Sequence, residues 1–254
     1  MHRHALPFRV SLVTSPADLV RAVALRSSAY ARHAAPAADK LRLPEPDDGR
    51  DDVVVLIAKS KLDDMVVGTI RLNSNSRTAM RFETSAPLPS RFAGARCVEF
   101  MRLGVASGGN GNLVSAALAK ASFRVCKASG IDFIFVASRH PVDVVYKRYR
   151  FDDLLDGKKV QLDYAPGVGH SILCLPVATA EERWRAHSRW VHSFFVKTEH
   201  PDIGVDYAEA AHRLRGHHQR SGDGLLRPAV RSGSGAEPIE VIRKFAGSVA
   251  ISEC

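Results

Sequence analysis

Apolar and polar positions in the first part of the chain predict a strand followed by a helix. Residues 8–13 have the apolar pattern of a short strand. Ser15 and Pro16 then occupy the positions of a helix cap and a first helical residue, and the apolar positions beyond them recur every three or four residues. The residues that this spacing places on one side of the helix are Leu19, Val23, Arg26 and Tyr30.

The middle of the chain predicts a loop, a hairpin and a further strand. Residues 34–52 are rich in proline and charge and are expected to form a loop. Two apolar runs rich in β-branched residues, 53–59 and 65–73, flank a short polar segment and predict a hairpin. Residues 97–105 form the next apolar run and lead into a glycine-rich segment.

The following elements complete a mixed α/β pattern. A helix is predicted over residues 113–128, and Gly130 ends it. A continuous apolar strand over 131–138, a short helix around Tyr146 and a strand pair over 158–164 and 171–177 come next. Because strands and helices are interspersed in this way, we assign residues 1–178 to one α/β domain.

Residues 179–254 differ in character and predict a C-terminal extension that is helical and partly flexible. A basic helix is expected over 184–195, with Trp184, Trp190, Phe194 and Phe195 as its large aromatic residues. Beyond Gly216 the chain is rich in Gly, Ser and Arg, which is typical of a flexible tract.

The composition is that of a globular protein, with 45% hydrophobic and 25% charged residues among 254. No apolar run approaches the roughly 20 residues of a membrane-spanning helix, and no signal peptide is recognisable. We therefore expect no integral membrane segment and a cytoplasmic location. The four cysteines lack Cys-x-x-Cys spacing and the eleven histidines lack a ligand motif, so no metal and no disulfide framework are expected.

The net charge of +9 narrows the choice of partners. The part from Ala180 onward is nearly balanced, so the excess lies in the α/β domain. This positive charge suits a partner that is nucleic acid, a phosphorylated cofactor or an acidic protein. Alternatively, the charge only keeps the protein soluble. A basic nucleic-acid-binding protein is the non-enzymatic alternative, but the sequence has no recognition-helix or RNA-binding pattern, so we expect no nucleic acid partner.

Three segments in this order resemble the GCN5-related N-acetyltransferase (GNAT) fold. They are GTIRL from Gly68, CVEFMRLGV from Cys97 with its glycine-rich loop and helix, and VDVVYKRYRF from Val142. The resemblance covers residues 8–177. It implies a mixed, mostly antiparallel central sheet flanked by helices, followed here by the C-terminal helical extension. It also implies a fourth and fifth strand that splay apart and admit a pantetheine arm.

The pair Glu99 and Arg102 resembles two groups that take acyl groups from acyl carrier protein, the acyl-homoserine lactone synthases and the long-chain N-acyl amino acid synthases. Those groups also carry an Arg and an aromatic on the first helix and acidic residues before the second strand. His33–Pro36 stands where lactone synthases have a Trp, so the amino acid synthases are the better match. The matching residues here are Arg26, Tyr30, and Asp48 with Asp51 or Asp52.

Three residues are candidates for catalysis, and the resemblance supports the first two. Glu99 could take the proton of the acceptor amine, or it could be a structural anchor paired with Arg102 or Arg71. Tyr146 could protonate the leaving thiolate, or it could be a packing residue. His140, at the end of a strand, is an alternative base or an ordinary loop residue.

Arginines and one tyrosine are candidates for binding the substrate. A guanidinium fork suits a substrate carboxylate, although Arg102 could instead hold a loop. Strand alternation places Glu99 and Arg102 on opposite faces unless a bulge intervenes. The predicted substrate-binding residues are Arg26, Tyr30, Arg71 and Arg102.

The glycine-rich loop is the candidate site for the donor phosphate, because free N–H groups at a helix N-terminus attract phosphate. Ala106 stands where relatives that use coenzyme A have Gln or Arg, and a carrier-protein donor with a single phosphate would tolerate this departure. The alternative is a tight turn with Asn112 as the helix cap. The predicted donor-phosphate-binding residues are Gly108, Gly109, Asn110, Gly111 and Asn112.

The leading hypothesis is an N-acyltransferase that moves a long-chain acyl group from acyl carrier protein to the amine of an amino acid. Its co-substrate is an acyl-phosphopantetheine thioester, on carrier protein or on coenzyme A, and no bound cofactor is expected. An acetyl-CoA-dependent N-acetyltransferase is the alternative enzyme. A group of basic residues is expected to form a rim on the surface of the domain. This rim either steers an acidic carrier protein toward the site or is a solvated face without a partner. Its residues are Arg124, Lys127, Lys147, Arg148, Arg150, Lys158 and Lys159. Three roles are open for the aromatic helix over 184–195: it covers the acyl tunnel, it forms a dimer contact, or it only packs against the rest of the protein.

Overall fold

The computed structural model describes residues 2–32 and 35–215. Its ten strands in these ranges are β1 (His2–Arg3), β2 (Phe8–Leu12), β3 (Val53–Ser60), β4 (Val66–Ser74), β5 (Cys97–Val105), β6 (Phe133–Ser138), β7 (Asp152–Asp153), β8 (Val160–Leu162), β9 (Ala165–Pro176) and β10 (Thr198–Glu199). The α-helices are α1 (Pro16–Ala31), α2 (Ala35–Lys40), α3 (Gly111–Ser129), α4 (Val142–Arg148), α5 (Ala180–His187), α6 (Arg189–His192) and α7 (Tyr207–Arg215).

The central sheet has the order β2-β3-β4-β5-β6-β9-β7, and β8 pairs with β9 beside this path. Every neighbouring pair is antiparallel except β5 and β6, which run parallel. The prediction of a mixed, mostly antiparallel sheet flanked by helices is therefore confirmed. Helices α1 and α3 pack on opposite faces, which we call the α1 face and the α3 face.

Local signals explain how several elements begin and end. The Ser15 side chain accepts a hydrogen bond from the N–H of Asp18 and caps α1. Gly130 has φ +67° and ends α3 in the left-handed conformation. Gly68 lies where α3 crosses β4, and a Cβ there would overlap Val114 and Leu118. The glycine of the GTIRL motif thus permits close helix–sheet packing.

Several boundaries differ from the sequence-based expectation, and the strand expected over 171–177 begins already at Ala165. Residues 34–52 contain α2 and a 3-10 turn, Pro46–Gly49, rather than only a loop. Helix α3 begins at Gly111 instead of residue 113, and β6 begins at Phe133 instead of residue 131. The helix expected over 184–195 is broken at Ser188, whose extended backbone separates α5 from α6.

The C-terminal segment 180–215 packs on the same core as the sheet. Trp184, Phe195 and Leu214 belong to the main cluster of buried apolar residues. Strand β10 pairs with β1, and the Asp202 carboxylate accepts a hydrogen bond from the N–H of Leu6. The predicted domain boundary at residue 178 stays a prediction. The predicted flexible tract beyond Gly216 lies outside the described residues.

The cysteines in the described ranges, Cys97, Cys126 and Cys174, are buried and free. Residues 2–32 and 35–215 contain no group of three or more His, Cys, Asp or Glu side chains placed to hold a metal ion. In the same ranges, no helix has the length and apolar character needed to cross a membrane.

Candidate active site

Strands β5 and β6 separate after Glu99. Their pairing is limited to three positions, Cys97 with Phe133 through Glu99 with Phe135. Beyond that point β5 continues to Val105 along β4, while β6 continues along β9. The side of β5 that faces β6 therefore has no ladder partner in the described chain from Phe100 onward, which is the opening that the fold resemblance predicts.

A bulge in β5 turns Arg102 toward the α1 face. Arg71 pairs with Met101 and Thr69 pairs with Gly104, so two residues of β5 lie opposite Ile70 alone. Arg102 has a positive φ of 54°, which is uncommon for a residue with a side chain. Simple alternation would place Arg102 on the face opposite Glu99, and the bulge changes that outcome.

Glu45, before the 3-10 turn, is surrounded by arginines. Its carboxylate accepts two hydrogen bonds from Arg102, at 2.7 and 2.6 Å, and one each from Arg71 at 3.1 Å and Arg81 at 3.0 Å. Burial alone would raise the pKa of Glu45, but the bond from Arg102 and the nearby positive charges lower that pKa far below its ordinary value. Glu45 thus stays ionised and fixes Arg102.

Asp48 holds a second part of this network. Arg26 donates two hydrogen bonds to it at 2.9 and 3.1 Å, and Arg71 donates one at 3.1 Å. Arg26, Arg71 and Asp48 have side chains that are completely buried. Arg26 and Arg71 are enclosed and bonded to carboxylates, which positions the 3-10 turn, and their role in binding the substrate stays a prediction.

The resemblance matches Asp48, with Asp51 or Asp52, to the acidic residues before the second strand. In the structure Glu45 lies beside Asp48, whose carboxylate accepts the N–H of Glu45 at 2.8 Å. Asp51 is exposed and pairs with Arg77, whereas Asp52 binds Arg50.

Glu99 is fully buried, and only one of its two carboxylate oxygens has a hydrogen-bond partner. Its Oε2 accepts the backbone N–H of Arg81 at 2.7 Å, and its Oε1 has no hydrogen-bond partner. Burial raises the pKa of Glu99 to about 7, although the N–H of Arg81 and the charge of Arg71 act in the opposite direction. The anchor hypothesis, an ion pair with Arg102 or Arg71, is wrong, since both arginines bind Glu45 instead.

Aromatic side chains border this polar group. The Arg102 guanidinium lies 6.0 Å from the ring centre of Tyr30, and that of Arg81 lies 4.6 Å from Tyr164. Burial and the negative charge of Glu99 raise the pKa of Tyr164. The Arg81 side chain is 34% exposed, against 11% for Arg102, so Arg81 is the more accessible cation.

Tyr146 lies on α4 and is almost completely buried. Its ring packs edge-on against Phe151 at 5.2 Å and Tyr149 at 6.4 Å. Burial raises its pKa, and the neighbouring phenols of Tyr149 and Tyr30 raise it further, so the hydroxyl keeps its proton at neutral pH. That protonation state is the one a proton donor needs.

His140 lies in the surface turn between β6 and α4, with a side chain that is 77% exposed. Its Nδ1 is 3.5 Å from Asp143, and Asp143 also accepts a hydrogen bond from Lys159 at 2.8 Å. The structure thus places His140 beside the buried carboxylate of Asp143 rather than beside the group around Glu99, and its role as a base stays a prediction.

The glycine-rich loop leads directly into α3. Gly108 has a positive φ of 140°, and Asn110 is the helix cap, although its side chain makes no capping bond. Asn112 as the cap is therefore wrong, since Gly111 and Asn112 lie in the first helical turn. The segment 106–112 contains no basic residue. The first-turn N–H groups of a 19-residue helix remain the local attraction for a phosphate.

Part of the predicted basic rim is neutralised. Lys127 pairs with Glu181 at 2.7 Å, and Lys147 pairs with Asp153 at 2.9 Å. Lys159 is bound to Asp143, so these three lysines carry less free charge than the sequence suggests.

Three residues of this site escaped the sequence analysis: Glu45, Arg81 and Tyr164. Glu45 had a detectable signal, because Glu45-Pro-Asp-Asp48 has the spacing of a reciprocal cap, which the structure forms. Arg81 and Tyr164 follow no motif and reach the site only through the folding of their loops.

Comparison with known proteins supports one family. The family model described as N-acyl amino acid synthase FeeM matches residues 21–172. The structure of FeeM, an N-acyl amino acid synthase from uncultured soil microbes, superposes with a TM-score of 0.55 at 12% identity, covering 69% of this chain and 93% of that one. BjaI, a CoA-dependent acyl-homoserine lactone synthase solved with SAM and isopentyl-CoA, gives a TM-score of 0.51 at 16% identity, covering 82% and 98%. No curated protein matches the sequence. The fold is thus GNAT-like, as predicted.

Proposed function

Because the chain belongs to the N-acyl amino acid synthase FeeM family and is an acyltransferase, we propose that it acylates the amine of an amino acid with a long-chain group. The donor in this proposal is an acyl-phosphopantetheine thioester on acyl carrier protein. The observation that carries the proposal is Glu99, a buried carboxylate with a pKa near 7 and one unbonded oxygen, at the point where β5 and β6 separate.

The chemistry assigns a task to Glu99 and to Tyr146. The amine nitrogen attacks the thioester carbonyl carbon, so a C–N bond forms and the C–S bond breaks. Glu99 accepts the proton that the amine loses, directly or through a water, and Tyr146 donates its proton to the leaving thiolate. The proton on Glu99 then returns through solvent to the tyrosinate. A base with a pKa near 7 suits this exchange at neutral pH.

The acceptor's carboxylate would be bound by arginines near Glu99. Arg102 is fixed by Glu45, and Arg81 keeps part of its guanidinium exposed. A positive group in that position favours an amino acid over a simple amine. Tyr30, in contact with Arg102, borders the same space.

The glycine-rich loop supports a carrier-protein donor over coenzyme A. The carrier protein presents a single phosphate, whereas coenzyme A adds a diphosphate whose charge calls for cations. Segment 106–112 offers backbone N–H groups and no cation. An acidic carrier protein also fits the positive net charge of the chain.

The test is product formation by the purified protein with long-chain acyl carrier protein and a mixture of amino acids, followed by mass spectrometry. We expect N-acyl amino acids, with weaker use of acyl-CoA and of amines that lack a carboxylate. Glu99→Gln should lower kcat/KM by about a hundredfold to ten-thousandfold, the range for loss of a general base.

Glu83→Gln is the matched control, because Glu83 also accepts a backbone N–H, that of Met80, but only caps a 3-10 turn. Acetylation from acetyl-CoA with no long-chain product would favour the acetyltransferase alternative. Full activity of Glu99→Gln would overturn the role of Glu99 as the base.

A further inference from the structure

The arginines around Glu45 differ in how much of each guanidinium is free to bind a ligand. A carboxylate pairs well with the edge formed by Nε and one Nη, because the two N–H groups there are parallel. On Arg102 this edge is occupied, since its Nε and Nη2 donate to Glu45 at 2.7 and 2.6 Å. The side chains of Arg26 and Arg71 are completely buried, so a ligand does not reach them in this conformation.

Arg81 keeps the corresponding edge free. Its Nη1 donates to Glu45 at 3.0 Å and lies 3.9 Å from Asp47. Within residues 2–32 and 35–215, no atom accepts a hydrogen bond from its Nε or Nη2. Because about a third of the side chain is exposed, an incoming carboxylate can reach this edge.

The main chain of Arg81 contacts the proposed base. Its N–H donates to Oε2 of Glu99 at 2.7 Å, and Oε1 of Glu99 has no partner in the described part of the chain. Arg81 also begins a second 3-10 turn, Arg81–Thr84, in which Glu83 accepts the N–H of Met80 at 2.8 Å. One residue of fixed backbone therefore binds the base and presents a guanidinium.

Tyr164 covers one face of the Arg81 guanidinium, whose Cζ lies 4.6 Å from the ring centre. Tyr164 stands between β8 and β9, and the N–H of the adjacent Asp163 donates to Oγ of Ser85 at 3.0 Å. Ser85 directly follows the turn that Arg81 begins. Stacking leaves the in-plane N–H groups of a guanidinium free, so the ring restrains Arg81 without occupying its edge.

We propose that Arg81 binds the carboxylate of the acceptor amino acid through Nε and Nη2, and that Tyr164 is a positioning residue for this guanidinium. The inference rests on the proposed function for its acceptor. Within that function it selects Arg81 over Arg102, whose edge Glu45 occupies. Because Arg81 also binds Glu99, the acceptor's carboxylate and the base are held in a constant relation.

The first experiment measures kcat and KM for the amino acid that reacts best and for the matching amine without a carboxylate. Arg81→Met should raise the KM of the amino acid by about tenfold to a hundredfold, the effect of losing hydrogen bonds to a charged group. The KM values of the amine and of the acyl donor should stay unchanged, and activity with the amine shows that the variant is folded. Arg81→Lys keeps the charge without the fork and should recover only part of the loss.

The same assay separates positioning from general structure at Tyr164. Tyr164→Phe keeps the ring and should retain the wild-type KM, whereas Tyr164→Leu should raise the KM of the amino acid by about threefold to tenfold. Arg77→Met is the matched control, because Arg77 is an exposed arginine of the same segment and pairs with Asp51. Equal KM values for Tyr164→Leu and wild type would overturn the role of Tyr164.

The second experiment measures binding without catalysis. Ligand-observed NMR follows a mixture of amino acids, and then the matching amines, in the presence of wild type or Arg81→Met. Amino acids that bind wild type but not Arg81→Met, with no acylated product formed, would support the carboxylate site while overturning the proposed function. Acyl transfer with the same preference for amino acid over amine in wild type and Arg81→Met would keep the proposed function and overturn the carboxylate site.

Discussion

On the α1 face the opening between β5 and β6 is bordered by arginines and carboxylates, whereas on the α3 face it is bordered by aromatic rings. The polar side is held by hydrogen bonds of defined length to Glu45 and Asp48. The apolar side is held by ring packing around Trp184 and by Lys120. Charged pairs fix the direction of side chains, and packed rings fill volume, so the two sides of the sheet are stabilised in different ways.

The polar side contains a second contrast, between two buried carboxylates. Glu45 meets Arg71, Arg81 and Arg102 and has a lowered pKa, while Glu99 meets one backbone N–H and has a raised pKa. Arginines that could have paired with Glu99 are bound by Glu45. Because the network binds the arginines near Glu99, no cation pairs with Glu99, and its carboxylate can accept a proton.

Removal of Asp48 should give the largest loss of stability. Asp48→Asn leaves Arg26 and Arg71 buried with a deficit of negative charge, and breaking a buried pair costs about 3–5 kcal/mol. Chemical denaturation of wild type and variant measures this change. Asp51→Asn, which alters an exposed carboxylate of the same loop, should change the free energy of unfolding by less than about 0.5 kcal/mol. Equal effects of the two would mean that the network does not hold the turn.

Replacing Glu99 by a neutral residue should raise the free energy of unfolding at neutral and alkaline pH. Its folded pKa of about 7 exceeds the ordinary value of 4.5, so the folded state binds the extra proton and wild-type stability falls as pH rises from about 4.5 to 7. Glu99→Gln should remove that fall and gain up to about 3 kcal/mol relative to wild type above pH 7. Denaturation at pH 5 and pH 8 tests this, and a variant that is less stable at both would contradict it.

Lys120 on the apolar side should give an effect of a different kind, a change in the pH slope of stability. Burial and the charge of Arg124 lower its pKa to about 7, while Glu199 opposes them, and His200 with its lowered pKa stays neutral there. The unfolded chain keeps the lysine proton to higher pH, so wild-type stability should rise between about pH 7 and 10.5.

Lys120→Met should remove this rise, which cannot exceed about 1.4 kcal/mol per pH unit for one proton. Thermal unfolding at several pH values measures it. Lys127→Met, at an exposed lysine of the same helix that pairs with Glu181, should keep the wild-type slope. An unchanged slope in Lys120→Met would mean that the ammonium is retained throughout.

Much of the fold could be predicted because local patterns carry it. The bounds of β5 follow from its apolar run, α1 from Ser15 and Pro16, and the end of α3 from Gly130. The break at Ser188 had only a weak signal: its side chain caps α6 by accepting the N–H of Val191, but helix-forming residues stand on both sides of it. The packing of the C-terminal segment depends on contacts with α3, such as that of Lys120 with the carbonyl of Phe194, that no periodicity encodes.

The site was only partly predictable. Glu99, Arg102 and Tyr146 follow motifs, but the direction of Arg102 depends on a bulge that puts two residues opposite Ile70. Whether an arginine is free or enclosed depends on carboxylates more than 20 residues away in the chain, as for Arg26 and Asp48. The sequence shows which residues are charged, whereas the ion-pair partners of a charged side chain depend on the tertiary structure.

The pairing of β1 with β10 has a consequence for synthesis of the chain. Residues 2–10 meet their partners at 198–204, where the carbonyl of Val10 accepts the N–H of Gly204 and the N–H of Val10 binds Asp202. A ribosome must therefore translate about 200 residues, and release them from its tunnel, before this edge can close. Until then the rings of Phe123 and Tyr149 lack the cover of Trp184 and Phe195, and exposed apolar surface of this kind makes a partly folded chain prone to aggregation.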